Sequence, residues 1–234
     1  MQLLIDVGNT AVKLALARND YVTLIDDISI PWNDISEVLV AQVGKSDALT
    51  PYIDKAQVLG IPVVQAYVTQ TLNELRCAYA HYHNLGIDRW LTVVACHYLY
   101  PKQNCVIVDS GTATKVDILT AKGEHLGGWI LPGLDMMVDS LVNNTQKVFS
   151  DEQSLFTKAL GKNTPNAVKN GALVATLGAI YAGMQSFECE TSALKVICAG
   201  GYGEFISQQL MCESQYNDIL VLQGLLFWRK NIQI

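Results

Sequence analysis

Two segments of the sequence gather groups suited to phosphate chemistry. Leu3-Leu4-Ile5 runs into Asp6-Val7-Gly8-Asn9-Thr10, and Ala11-Val12-Lys13 leads into a second apolar run, Leu14 to Ala17. Gly and Asn tolerate positive φ, so the pattern reads as a strand, a tight turn and a returning strand. A carboxylate, an amide, a hydroxyl, an amine and the N–H groups of the turn fall within the eight residues Asp6 to Lys13. Successive N–H groups in such a turn form a nest for anionic oxygens, and a nearby Asp can hold hydrated Mg²⁺. A single Asp-x-Gly-x-Thr hairpin is more often merely structural. Here the design recurs. Cys105 to Val108 enters Asp109-Ser110-Gly111-Thr112-Ala113-Thr114, a strand leaves through Lys115, and Asp109 lies 103 residues after Asp6. Repetition at close to half the chain length favours phosphate binding. It predicts two similar α/β lobes, 1–103 and 104–234, each presenting a hairpin to a shared nucleotide cleft.

A third segment could act on the acceptor. Gly86 breaks the pattern in Tyr79 to Trp90, and Asp88 precedes an apolar-periodic run ending at Leu99. Locally, Asp88 reads as the N-cap of that helix and Arg89 as a solvated first-turn residue. The same position lets a carboxylate point into a cleft and act, beside Arg89, on a hydroxyl substrate. His81, His83 and His97 have generic spacing and no acidic or thiol partner timed to them, which argues against a metal site. The six cysteines lack any Cys-x-x-Cys spacing and mostly sit in apolar segments, as reduced buried thiols of a cytosolic protein do. Val196 to Gly203 resembles half of a dinucleotide fingerprint, but Ile206 stands where a third Gly would fall. A Gly-Gly turn against an adenine face suits it as well.

The elements that must position these groups follow from the apolar pattern. Half of the 234 residues are apolar and 16% are charged, which fits a compact globular chain with ample core. A net charge of −6 argues against nucleic acid or an anionic membrane as the main partner, and the longest apolar run, Ala172 to Met184, is too short to cross a bilayer. The apolar N-terminus is interrupted by Asp6 and Asn9, and no cleavable signal is expected there. After the first hairpin, strands are expected at 22–25, 38–41 and 63–68, with a helix at 48–59 opened by Ser46-Asp47. In the second half strands are expected at 105–109, 114–120, 125–131 and from 196, with helices at 134–143 and 165–186, the latter capped by Thr164 with Pro165 at its first position. The chain is expected to close with a strand at 219–222 and a helix at 223–230.

Together these motifs resemble the type III pantothenate kinases, a family of the sugar-kinase, heat-shock ATPase and actin superfamily. The resemblance spans Leu4 to about Leu226. Its carriers are Asp6 to Thr10, Leu85-Gly86-Ile87-Asp88-Arg89-Trp90, Asp109 to Thr114, Gly127-Gly128-Trp129-Ile130-Leu131-Pro132-Gly133, and Asn163-Thr164 with Ala167 and Gly171. The second and fourth are the more specific. The resemblance implies two ribonuclease-H-like lobes, each a mixed sheet flanked by helices. It also implies that Asp6, Val7, Gly8, Asn9, Thr10, Ala11, Val12 and Lys13 bind ATP phosphates, with Asp6 near Mg²⁺ through water and Thr112 a further ATP contact. By the same resemblance Asp88 is the catalytic base, Tyr79, Gly86, Ile87, Asp88, Arg89 and Thr164 meet pantothenate, and Asp109 ligates a monovalent cation, K⁺ or NH₄⁺. A cytoplasmic homodimer is implied, with Thr164 reaching the substrate across its interface.

The reaction so implied is transfer of the ATP γ-phosphoryl to the primary hydroxyl of pantothenate, the first step of coenzyme A biosynthesis. Mg²⁺, Lys13 and the N–H groups of Gly8 and Gly111 would offset the phosphate charge, while Asp88 aligns the hydroxyl and takes its proton. Two departures from the family pattern stand out: Lys115 replaces a usual threonine, and Tyr82 a common proline. Neither is expected to touch the base or the metal carboxylate, and Tyr82 should redirect one turn. Two other readings are open, a superfamily kinase with a different hydroxyl acceptor and a regulatory accessory factor that binds without turnover.

Overall fold

The structure is a computed structural model that describes residues 1–8, 11–44, 47–187 and 193–232. The first sheet starts as a meander. β1 (Gln2–Val7), β2 (Val12–Arg18) and β3 (Tyr21–Ile25) pair antiparallel, and β4 (Glu37–Gln42) then joins β1 in parallel. α1 (Thr50–Val58) crosses to β5 (Val63–Gln65), which completes the order β3-β2-β1-β4-β5. Central β1 is apolar on both faces because both are covered: Leu3, Leu4 and Ile5 have no exposure. Leu3, Ile5, Val38, Val40 and Ala56 share the core on one of those faces. α1 starts later than expected, after a 3₁₀ turn at Asp47–Leu49, and Ser46 lies outside the described residues. The strand expected over 63–68 ends at Gln65. Beyond it lies a hairpin that the pattern did not suggest, β6 (Thr71–Leu72) and β7 (Leu75–Arg76), turned at Asn73 with φ +53°.

α2 (Ile87–Leu99) precedes a second sheet built from β8 (Asn104–Ser110), β9 (Ala113–Leu119) and β10 (His125–Pro132). α3 (Leu134–Asn144) and α4 (Thr164–Gln185) follow. β11 (Leu194–Ala199) then lies parallel to β8, α5 (Gly203–Gln209) crosses, and β12 (Ser214–Tyr216) lies parallel to β11. The order β10-β9-β8-β11-β12 repeats that of the first sheet, so among the described residues both halves are mixed five-stranded sheets. Val106, Val108, Val116, Leu173, Leu177 and Ile180 form its core with α4.

The chain ends in α6 (Leu220–Asn231), not in a strand at 219–222. A four-residue apolar run fits either element; here Leu220, Leu222, Leu225 and Leu226 are all buried, and the strand falls earlier, at β12. α6 packs on α2 so closely that a Cβ added to Gly224 would lie 1.9 Å from the Leu91 carbonyl oxygen. Two compact units result. One holds 1–102, 119–126 and 219–234, the other 103–118 and 127–218. Residues 119–126 and 219–234 thus return to the first unit after the chain has entered the second.

Candidate active site

The first hairpin brings its two ionic side chains onto facing positions. In the β1–β2 register Asp6 lies opposite Lys13, and Val7 opposite Val12. The Gly8 N–H donates to the Ala11 carbonyl at 3.0 Å and closes the turn. That N–H is therefore engaged within the hairpin. Asn9 and Thr10 lie outside the described residues.

The second hairpin is closed in the same way, by the Gly111 N–H on the Ala113 carbonyl at 3.0 Å. The Gly111 N–H is thus engaged within its own turn. The Ser110 and Thr114 hydroxyls meet across the strands at 2.8 Å. Beside them, Lys115 Nζ donates to Asp109 Oδ2 at 2.8 Å. Lys115 thus reaches the carboxylate that it was expected to leave alone. The turn is braced from two sides. Gly133 donates its N–H to the Thr112 carbonyl at 3.0 Å, and a Cβ on Gly133 would lie 2.1 Å from the Gly111 carbonyl oxygen. The Tyr202 N–H donates to the Ser110 carbonyl at 2.9 Å, and the Tyr202 phenol donates to Asp135 Oδ2 at 2.7 Å. Burial, with the Asp135 carboxylate beside it, pushes the Tyr202 pKa up to about 12.

At the start of α2 the cap is Gly86, in extended conformation, and Ile87 is the first helical residue. Asp88 is therefore not the N-cap. It sits in the first turn, where the helix dipole favours a carboxylate, and its Oδ1 accepts the Arg89 N–H at 2.9 Å. A Cβ on Gly86 would lie 2.6 Å from that same oxygen. Arg89 is only 4% exposed, which overturns its reading as a solvated residue. Its Nη1 donates to Tyr79 Oη at 2.8 Å, with the guanidinium 5.6 Å from the Tyr79 ring centroid. Tyr79 in turn stacks on buried His125, centroids 6.5 Å apart and planes 11° apart. Sequence reasoning missed His125, which no local spacing connects to Tyr79. Tyr82 opens the 3₁₀ turn Tyr82–Asn84, its ring 3.8 Å from that of His83. Among the described residues no group of three His, Cys, Asp or Glu side chains is placed to hold a metal ion.

Thr164 is the first residue of α4, and the cap is Asn163, whose side chain accepts the Asn166 N–H at 2.9 Å. Thr164 lines a largely apolar cavity of about 860 Å³ in the second unit, with Pro132, Met137, Leu141, Val168 and Ala172.

Residues 29–186 match the family described as type III pantothenate kinase. A type III pantothenate kinase of Pseudoalteromonas translucida is 49% identical over 97% of this chain and 96% of its own length. One from Colwellia psychrerythraea is 32% identical over 97% and 95%. Among solved structures, a Campylobacter jejuni protein assigned as a Baf family transcriptional activator covers 97% of each chain with a TM-score of 0.59 and 21% identity, a likeness of fold alone.

Proposed function

The chain belongs to the type III pantothenate kinase family, and we propose that it transfers the γ-phosphoryl of ATP to the primary hydroxyl of pantothenate, giving 4′-phosphopantothenate. The observation that carries the assignment of roles is the start of α2. A carboxylate stands in its first turn beside a buried guanidinium held by a tyrosine hydroxyl. In this reading Asp88 accepts the hydrogen bond of the substrate hydroxyl, aligns it with the phosphorus and takes its proton. The transition state of phosphoryl transfer is loose, so alignment contributes as much as basicity. Arg89, Tyr79, Gly86 and Ile87 hold the pantothenate. Arg89 is suited to its amide and carboxylate oxygens because its fork is already fixed by Tyr79.

ATP is assigned to Asp6, Val7, Gly8, Asn9, Thr10, Ala11, Val12 and Lys13, with Thr112 as a further contact. With the Gly8 and Gly111 N–H groups engaged in their turns, Lys13 and side-chain donors take the larger share of offsetting the phosphate charge. A hard carboxylate at the end of β1 fits Mg²⁺ held through water, and Asp6 would hold it. The ion would offset charge on the triphosphate and on the ADP that leaves as the γ-phosphoryl is transferred. Asp109 fits a further cation poorly, since Lys115 already occupies one of its oxygens.

A cytoplasmic homodimer is part of the same proposal. No helix among the described residues is long and apolar enough to cross a membrane. Trp129 and Ile130 on edge strand β10 and Met136 and Leu141 on α3 are exposed, the kind of apolar surface a second copy covers. Thr164 is assigned to substrate contact across that interface.

The test is incubation of the purified protein with Mg-ATP and pantothenate, followed by detection of 4′-phosphopantothenate. Asp88→Asn should lower kcat by about 10²–10⁴-fold with ATP affinity little changed, the range for loss of a general base. A near-wild-type rate would remove Asp88 from its role. ATP binding without product from pantothenate would favour the accessory-factor reading or a different acceptor.

A further inference from the structure

We infer, resting on the kinase reading above, that the Lys115 ammonium is the built-in monovalent cation of the Asp109 site, so that phosphoryl transfer by this chain needs no added K⁺ or NH₄⁺. A monovalent metal ion at such a position is held by a set of oxygens in which the carboxylate carries the one full negative charge. Here the two carboxylate oxygens already face defined neighbours. Oδ2 accepts from Lys115 Nζ at 2.8 Å, within the range of a charge-assisted hydrogen bond. Oδ1 faces the turn after β11, where a Cβ added to Gly200 (φ +82°) would lie 2.6 Å from Oδ1 and 2.4 Å from the Ser110 carbonyl oxygen. The pair is mostly buried, with side chains 22% and 18% exposed for Lys115 and Asp109.

An added K⁺ would have to displace the ammonium or share one carboxylate oxygen with it, and two like charges at that separation repel. The ammonium supplies what the ion would supply at this carboxylate. It carries one compact positive charge and N–H donors directed at oxygen, as NH₄⁺ does. Fixed to β9, it is present at full occupancy at any salt composition, whereas a free ion must first be captured from solution. The residue type is what makes the difference. A threonine at 115 would leave the Asp109 charge uncompensated and its Oδ2 open to a metal ion. An ordinary cross-strand ion pair would show the same distance, so the response to cations once the ammonium is removed separates the two readings.

The experiment compares wild type with Lys115→Thr and Lys115→Met in KCl, NH₄Cl, NaCl and choline chloride at equal ionic strength, which holds general screening constant. Two readouts are taken: the Tm with bound Mg-ATP, and the rate of phosphopantothenate formation. For wild type, Tm and rate in KCl should match those in choline chloride within about twofold in rate, well below the effect of losing one charge at a transferring phosphoryl group. For the variants, the rate in choline chloride should fall by about 10- to 100-fold and be recovered by K⁺ or NH₄⁺, with a K⁺-specific rise in Tm as expected for a ligand that binds the folded state. Lys115→Met keeps the aliphatic stem, so it answers for a Lys115→Thr chain that folds poorly. Wild type that forms product only in K⁺ or NH₄⁺, or is selectively stabilised by them, would overturn the inference. Variants with no K⁺ response in Tm or rate would overturn it too. Absence of product from wild type in every salt would instead count against the kinase reading, and the Tm comparison would still decide the cation question.

Discussion

Gly86 is small because of where the Asp88 carboxylate lies. Its φ and ψ of −60° and 137° suit any residue, so the constraint is steric: a Cβ would stand 2.6 Å from Asp88 Oδ1. Gly86→Ala should therefore force the carboxylate to another rotamer while the helix start survives. We expect kcat to fall by about 10–100-fold, the penalty for misplacing a reacting group by about 1 Å. Stability should change by no more than about 1 kcal/mol, the scale of N-cap effects. Steady-state kinetics alongside a denaturation curve would check both. An unchanged kcat would mean that the carboxylate position seen in the structure is not the one used in transfer. The place of Asp88 at the opening of an apolar-periodic helix was legible in the sequence, yet its cap role was misread, since Gly86 already fills that position in extended conformation. The burial of Arg89 was not legible. It depends on Tyr79 ten residues earlier and, through the Tyr79 ring, on His125, and these are meetings in space that no spacing rule encodes. The pairing of Lys115 with Asp109 was not legible either, because it depends on which way the side chain leaves β9.

At the scale of elements, the two Asp-x-Gly hairpins were legible because turn chemistry and alternation agree there, and both strand pairs stand where the pattern put them. What escaped was short. β6, β7 and β12 have two or three residues each, too few for a period to register, and β6–β7 turns at an Asn in left-handed conformation instead of a Gly. The Gly127-to-Gly133 segment gains its physical meaning only from the structure. Gly133 lets the end of β10 pass against the β8–β9 turn, and Gly128 does the same along β9, where a Cβ would be 2.1 Å from the Val116 carbonyl oxygen. At Gly133 the opposing atom is the Gly111 backbone, which cannot rotate away as a side chain would. Gly133→Ala should then cost about 1–3 kcal/mol, as overpacking does. A urea titration should show a lower midpoint with an unchanged slope, the mark of lost stability without a change in cooperativity. A wild-type midpoint would mean that the two turns separate without cost.

For the molecule as a whole, the closing helix belongs to the opening sheet. α6 packs against α2, β4 and β1, and its residues Leu220, Leu222, Leu225, Leu226 and Trp228 have at most 1% exposure. Burying a side chain of that size contributes about 1.5–3 kcal/mol, so the five together reach the scale of an entire domain's stability, about 5–15 kcal/mol. The first unit therefore cannot reach its full stability without α6, although β1 lies far earlier in the sequence. Deleting 219–234 should leave the first unit without a stable core. Hydrogen exchange read by mass spectrometry should then show the β1, β4 and α2 amides losing protection, where the full chain protects them. Gly224→Ala should move the same amides in the same direction but less far, because it wedges α6 against the Leu91 backbone without removing the helix. Protected β1 amides in the shortened chain would show that the first sheet holds itself together, and that α6 only covers it.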